Sequence, residues 1–314
     1  MNGHPARSVH RALLSFAALA CVALLATTFA GRAQAKTVTA GANASPASVA
    51  SQPPITAGSN YLALGDSVTF GYQEPTTVPP PNYLDPSSLV GFPEDIASDL
   101  DVNVNNAACP GETSSSFIND TKQSNGCETQ PNGSPGYRAL FPLHVTYSRS
   151  QMRHAVKYLT KTSNVTLVSL MIGANDFLLC QEQTSDQCSS TMEQDAFLAT
   201  LRHNLKTILG KIRAVYHGQL VVVDYYSPTS ALDSLTEVSD AFENRIASKY
   251  HVEIADGFGA FMNAETAAGD SDDPCAAGLL TQLSSGGCGI HPSAAGQTVL
   301  AQAVEQVVQT SSSQ

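Results

Sequence analysis

The chain has 314 residues, with 16 Lys and Arg against 27 Asp and Glu, for a formal net charge of −11. Hydrophobic residues make up 42% and charged ones 14%, which excludes a disordered polyelectrolyte and leaves room for one large or two small domains with a sizeable core. A surface this acidic repels phosphate backbones, so nucleic-acid partners are excluded as well.

The first 35 residues read as an address. Arg7 and Arg11 precede an uncharged apolar run over residues 12–30, and Ala33-Gln34-Ala35 offers a small-x-small cleavage site. This is the pattern of a secretory signal peptide, although the run approaches the ~20 residues that span a bilayer. Cys21 lies inside the run in a poor context for lipid attachment. Three of the 16 basic residues fall in this segment, so the remainder carries 13 against 27 acidic residues. Residues 36–58 are rich in Ala, Ser, Thr and Pro and are expected to form a flexible leader. A single domain is expected over 59–314.

Six cysteines remain after Cys21: Cys109, Cys127, Cys180, Cys188, Cys275 and Cys288. An even count in an exported chain predicts disulfides, and six allow about 15 connectivities. The spacing favours neighbours, 109 with 127, 180 with 188 and 275 with 288. There is no C-x-x-C pair and no H-E-x-x-H, so no metal is expected.

The core alternates between strand-like and helix-like segments. Asn60–Leu64 is a short apolar run ending at Gly65, residues 89–100 have helical spacing, and Val102–Ala108 is a second strand. Residues 148–161 read as a helix. Val165–Ile172 is apolar throughout, as suits a strand buried on both faces of a parallel sheet. A long helix over about residues 190–216, a strand at Leu220–Asp224, a helix over 233–250, a short strand at Val252–Ala255 and a closing helix over 293–309 complete the order. Such alternation predicts a parallel sheet with helices on both faces and ligands at the carboxyl ends of its strands.

Four short blocks sit after those strands. They are Gly65-Asp66-Ser67, the stretch from Asn106 to Thr113 with Gly111, Gly173-Ala174-Asn175-Asp176, and Gly289-Ile290-His291-Pro292. A serine hydroxyl needs a base to take its proton, and an imidazole can take it and return it to a leaving group. Main-chain N–H groups and an amide can meet an oxyanion. Ser67 as nucleophile, His291 as base, and Ser67 N–H, Gly111 N–H and Asn175 as oxyanion donors would form such a set. Asp66 is expected to fix the turn rather than to react. Histidines 144, 154, 203, 217 and 251 have no motif and read as structural.

With these blocks in order, the chain resembles the SGNH hydrolases, also called GDSL esterases and lipases, over roughly residues 60–310. The matching stretches are Leu64–Gly71, Asn106–Thr113, Ile172–Asp176 and His291–Gly296. The resemblance implies a three-layer α/β/α sandwich with a five-stranded parallel sheet, flavodoxin-like. It also implies hydrolysis of carboxylic esters through an acyl-serine, without a cofactor. The absence of G-x-S-x-G around Ser67 disfavours an ordinary α/β-hydrolase elbow.

One position departs from the family. Its usual Asp, three residues before the His, is Cys288 here. A Ser67–His291 dyad is therefore expected, with a main-chain carbonyl near Cys288 orienting the imidazole. Asp270, Asp272 and Asp273 are the alternative acids. The long segment 110–147, with Tyr137, Leu140 and Phe141, is expected to line the acyl site and to favour aliphatic esters. The expected protein is a secreted monomeric esterase or lipase acting on small-molecule or lipid esters, with no stable membrane insertion after cleavage. A carbohydrate O-acetyl esterase of the same fold is the alternative substrate reading. A surface-binding protein that kept the fold without catalysis is the alternative class.

Overall fold

The computed structural model describes residues 52–270 and 272–311. The expected signal peptide and most of the expected leader lie outside the described residues.

Five strands form one parallel sheet in the order β2-β1-β3-β4-β5. The first part of the chain runs β1 (Asn60–Gly65), α1 (Ser67–Phe70), α2 (Phe92–Asp99), β2 (Asn103–Asn106), α3 (Ser114–Ile118), α4 (Tyr137–Leu140), α5 (Gln151–Lys161) and β3 (Val165–Met171). It continues with α6 (Ala174–Gln183), α7 (Thr191–Arg213), β4 (Gln219–Val223), α8 (Asp233–Ala247), β5 (Glu253–Ala255) and α9 (Gly257–Ala268). β6 (Leu280–Gln282) and β7 (Cys288–Pro292) make a separate antiparallel pair, and α10 (Ala294–Glu305) closes the order.

The strand period of two sorts the sheet's side chains into two layers. Tyr61, Ala63, Leu167, Met171, Val221 and Val223 pack with Phe92 and Ile96 of α2, Phe261 of α9 and Leu300 and Val304 of α10. Leu62, Leu64, Val168, Leu170, Leu220 and Val222 face the other way, onto Phe117 of α3, Met152 and Leu159 of α5 and the Leu201–Ile212 stripe of α7. Each of the buried Val, Leu, Ile, Phe and Met side chains among them contributes roughly 1.5–3 kcal/mol. β3 lies between β1 and β4 and is covered on both faces, which is why it is mostly apolar, and its two polar side chains are paired, Thr166 with the Ser59 hydroxyl and Ser169 with the Tyr61 hydroxyl.

The helices follow from caps and stripes. Ser150 caps α5 by accepting from Arg153 N, and Met152, Ala155 and Leu159 turn one face inward. Ser190 caps α7 in the same way through Glu193 N.

Three features depart from the sequence expectation. Helices α6 and α9 and the β6–β7 pair have no counterpart there. The last part of the expected leader is docked: Ile55 is buried, its N–H donates to Gln309 O at 2.7 Å, and Gln219 Nε2 donates to Pro53 O at 2.9 Å. One apolar side chain and a few main-chain bonds suffice to anchor a segment of otherwise small residues. The third departure is in the segment 110–147, which carries two short helices, α3 and α4, and whose Tyr137 belongs to a third cluster with Phe70, Leu89 and Ala108.

The disulfides join Cys109 with Cys127, Cys180 with Cys188, and Cys275 with Cys288. Among the described residues, no helix is long and apolar enough to cross a membrane.

Candidate active site

β1 delivers the serine. It ends at Gly65, where φ is +154° and an added Cβ would lie 2.5 Å from Met171 O. Only glycine passes there without strain. Asp66 then caps α1, its Oδ1 accepting from Val68 N at 3.0 Å, so Ser67 is the first helical residue at the carboxyl end of the central strands. This is the turn-fixing role expected for Asp66. α1 lasts one turn and stops at Gly71 in the left-handed region. The chain reaches Glu74 three residues later.

β7 delivers the histidine. The Cys275–Cys288 bridge and the β6–β7 pairing hold this short strand, and Tyr226 OH donates to Ile290 O. His291 Nε2 lies 3.0 Å from Ser67 Oγ, and its Nδ1 lies 2.8 Å from Glu74 Oε1. Both His291 and Glu74 are largely buried, at 12% and 19% side-chain exposure, which keeps the pair out of bulk water.

The expectation for the third group is therefore corrected. The ring N–H faces the Glu74 carboxylate rather than a main-chain carbonyl near Cys288. Among the described residues, Asp270, Asp272 and Asp273 make no hydrogen bond to His291. The physical reason is the course of the chain after Gly71, which brings an acid seven residues beyond the serine under the β7 main chain. Glu74 Oε1 also accepts from Ile290 N at 2.7 Å and His291 N at 3.1 Å, and its Oε2 accepts from Thr281 Oγ1 at 2.6 Å. Burial pushes this carboxyl up. The hydrogen bonds and charge of His291, with the Thr281 hydroxyl, outweigh that and hold it at about 2. Glu74 is thus a fixed negative charge across the neutral range.

Opposite the histidine, Asn175 Nδ2 donates to Asp66 Oδ2 at 3.1 Å, which leaves one amide proton available. Its Oδ1 accepts from Asn125 Nδ2 at 3.0 Å, and Asn125 N donates to Gly111 O at 2.8 Å. Asn125 therefore ties Asn175 to the loop that carries Gly111. Gly111 has φ +79°, and an added Cβ would lie 2.5 Å from Asn125 O. Neither Ser67 N–H nor Gly111 N–H has a main-chain acceptor among the described residues. Tyr225, just after β4, donates to Asp66 Oδ2 at 2.6 Å. Burial pushes the Asp66 carboxyl above its usual range, against these donated bonds.

The structure thus joins Ser67 to His291 directly, and ties Asn175 to the serine turn through Asp66 and to the Gly111 loop through Asn125. Sequence reasoning missed Glu74, Asn125 and Tyr225. The last two follow no motif. The signal for Glu74 was indirect: with Cys288 in place of the usual Asp, some other acceptor must hold the ring N–H, and nothing in the sequence says that it is Glu74.

An aromatic wall flanks the histidine. Tyr72 meets His291 edge-on at 5.0 Å between centroids and stacks on Tyr83 at 5.5 Å. Tyr137 and Phe141 extend the wall. Cys109, Cys127 and Glu112 form the one cluster of metal-type ligands among the described residues, and its two sulfurs are tied in a disulfide.

Residues 63–299 match the model of the GDSL-like Lipase/Acylhydrolase family. No curated protein matches the chain. Among solved structures it is similar to an extracellular lipase from Streptomyces rimosus, at 18% identity and a TM-score of 0.52 over 80% of this chain and 100% of that one. A phospholipase A1 from Streptomyces albidoflavus NA297 is similar at 20% identity and a TM-score of 0.51, again over 80% and 100% of the two chains. An acetylxylan esterase from Geobacillus stearothermophilus aligns at 17% identity and a TM-score of 0.46, over 81% and 95%. With three quarters of its length inside the family match and the α/β fold of such enzymes, the chain belongs to the GDSL-like lipase/acylhydrolase family and is a carboxylic ester hydrolase.

Proposed function

We propose that the protein hydrolyses carboxylic esters through an acyl-Ser67 intermediate, with Ser67, His291 and Glu74 acting as a triad. The observation that carries this reading is the continuous chain from Ser67 Oγ to His291 Nε2 at 3.0 Å and from His291 Nδ1 to Glu74 at 2.8 Å. His291 takes the hydroxyl proton as Ser67 Oγ attacks the carbonyl carbon. The tetrahedral oxyanion is met by Ser67 N–H, Gly111 N–H and the free amide proton of Asn175. His291 then gives the proton to the departing alkoxide, and the alcohol leaves. A water, deprotonated by His291, attacks the acyl-enzyme and releases the acid and Ser67. Glu74 fixes the tautomer that points Nε2 at the serine and stabilises the imidazolium as it forms.

The substrate we assign is an aliphatic or lipid ester. Tyr72, Tyr83, Tyr137 and Phe141 give the site an apolar wall, and Leu84, Leu140 and Ile290 are exposed beside or within the segments that build it. The enzyme works outside the cell. Three disulfides and the apolar run before Ala33-Gln34-Ala35 support that placement.

The test is hydrolysis of a panel of chromogenic esters of increasing chain length, together with an acetylated polysaccharide, by the parent and Ser67→Ala. The reading expects medium or long acyl chains to exceed acetate in kcat/KM and Ser67→Ala to be inactive on all. A preference for the acetylated polysaccharide would move the substrate to carbohydrate esters.

A further inference from the structure

β2 leaves the sheet just where the nucleophile turn begins. Its pairing with β1 runs to Ala63 and Asn106, and two main-chain bonds follow, Ala107 N to Ala63 O at 2.9 Å and Cys109 N to Gly65 O at 3.2 Å. Beyond them the chain turns away to carry Gly111, and the N–H of Gly65 is left without a strand on that side.

The side chain of Gln151 fills the place. Its Oε1 accepts from Gly65 N at 2.7 Å and its Nε2 donates to Gly65 O at 2.9 Å. A carboxamide sets a donor and an acceptor side by side, so it bonds the N–H and C=O of Gly65 at once, as the facing residue of an antiparallel strand would. The second Nε2 proton goes to Glu112 Oε2 at 3.1 Å. Glu112 directly follows Gly111, and its other oxygen accepts from the Ser116 hydroxyl. Gln151 and Glu112 are both fully buried. Burial, with the charge of Glu128, pushes the Glu112 carboxyl well above its usual range. One amide therefore grips the chain two residues before Ser67 and one residue after Gly111.

We propose that Gln151 is a positioning residue that holds the nucleophile turn and the oxyanion loop in register with each other. The proposal rests on the assignment of Ser67 as nucleophile and Gly111 as oxyanion donor. Catalysis depends on the separation of those two groups, and a shift of about 1 Å between reacting and supporting atoms costs roughly 10²-fold in rate. α5, which starts at Gln151 and packs through Met152 and Leu159 into the core, makes the amide a rigid reference.

Two variants test it, with competent sites counted by a serine-directed phosphonate. Gln151→Met keeps the length and bulk of the side chain and removes all three bonds. It is expected to lower kcat on a soluble short-chain ester by about tenfold or more while KM stays within about twofold, because the loss falls on the transition state. Gln151→Glu keeps the shape, but ionised it can only accept, and it faces Gly65 O, Glu112 and Tyr147. Buried beside Glu112, it is expected to approach the parent at low pH and to fall away from it as pH rises, because only a protonated carboxyl again offers Gly65 a donor and an acceptor.

Unchanged kcat per titrated site in Gln151→Met overturns the proposal, and so does a Gln151→Glu to parent ratio that does not vary with pH. Failure of both variants to fold also overturns it, by assigning Gln151 to stability alone. Ser67→Ala is run alongside. Activity surviving in that variant overturns the nucleophile assignment itself, whatever the Gln151 variants do.

Discussion

His291 Nδ1 and Glu74 Oε1 lie 2.8 Å apart although 217 residues separate them in the chain. The same carboxylate oxygen accepts the main-chain N–H groups of Ile290 and His291. Glu74 therefore positions both the imidazole and the strand that carries it.

Replacing Glu74 tests its role directly. Glu74→Gln keeps the shape but no longer fixes the tautomer or supplies charge, and a loss of ~10²–10⁴ in kcat is expected by analogy with other triads. Asp270→Asn, Asp272→Asn and Asp273→Asn should each stay within about threefold of the parent, as surface changes do. Steady-state kinetics on one ester compares all four. A dyad oriented by a carbonyl would instead leave Glu74→Gln close to the parent.

Gly289→Ala tests the seat of Glu74. A Cβ there would lie 2.2 Å from Glu74 Cδ. The obstructing atoms are the Glu74 carboxylate, which must leave its place, so the N–H groups of Ile290 and His291 and the Thr281 hydroxyl lose their acceptor. The expected variant loses most of its activity together with about 1–3 kcal/mol of stability, the cost of donors left without their acceptor. Thermal unfolding and kinetics on the same sample check it.

β1, β3 and β4 were legible as short, mostly apolar runs and the long helices by their stripes, whereas the edge strands β2 (Asn-Val-Asn-Asn) and β5 (Glu-Ile-Ala) were placed by the alternation of elements around them. Ser67, Gly111, Asn175 and His291 were legible because a parallel sheet gathers whatever follows its strands. Glu74 was not, since it follows a one-turn helix in a loop whose course is set by tertiary contacts with β7. β6 and β7 are only three and five residues long, and glycines at 286, 287 and 289 hide any alternation. α9 escaped because Gly257–Ala268 is small and apolar on most sides, with no polar face to set a period.

Asp240 gives stability a slope with pH. Its Oδ1 accepts from Tyr225 N at 3.3 Å, and its Oδ2 has no partner among the described residues. Burial, with the negative charge of Asp224, pushes its carboxyl up to about 8. The ordinary value is about 3.9. Between those values the folded state holds a proton that the unfolded state has lost, so this contribution is full below the lower value and falls as pH rises through the higher. Asp240→Asn removes it. Urea unfolding between about pH 5 and pH 8 should show the parent losing more stability across the window than Asp240→Asn, and parallel curves would contradict the assignment.

The Cys275–Cys288 bridge closes a 13-residue separation and ends on the strand that carries His291. Changing both cysteines to serine is expected to cost about 2–4 kcal/mol in denaturant unfolding. It should also lower activity per folded molecule. Non-reducing peptide mapping checks the pairing, and a bridge from Cys288 to Cys109 would contradict it.

The central claim is that Ser67 is the nucleophile driven by His291 and Glu74. The most direct measurement is the site and rate of covalent modification by a serine-directed phosphonate, read by peptide mass spectrometry. The account predicts one adduct, on the peptide containing Ser67, absent in Ser67→Ala and formed far more slowly in His291→Ala and Glu74→Ala. An adduct on another residue, or an undiminished rate in Glu74→Ala, would contradict it.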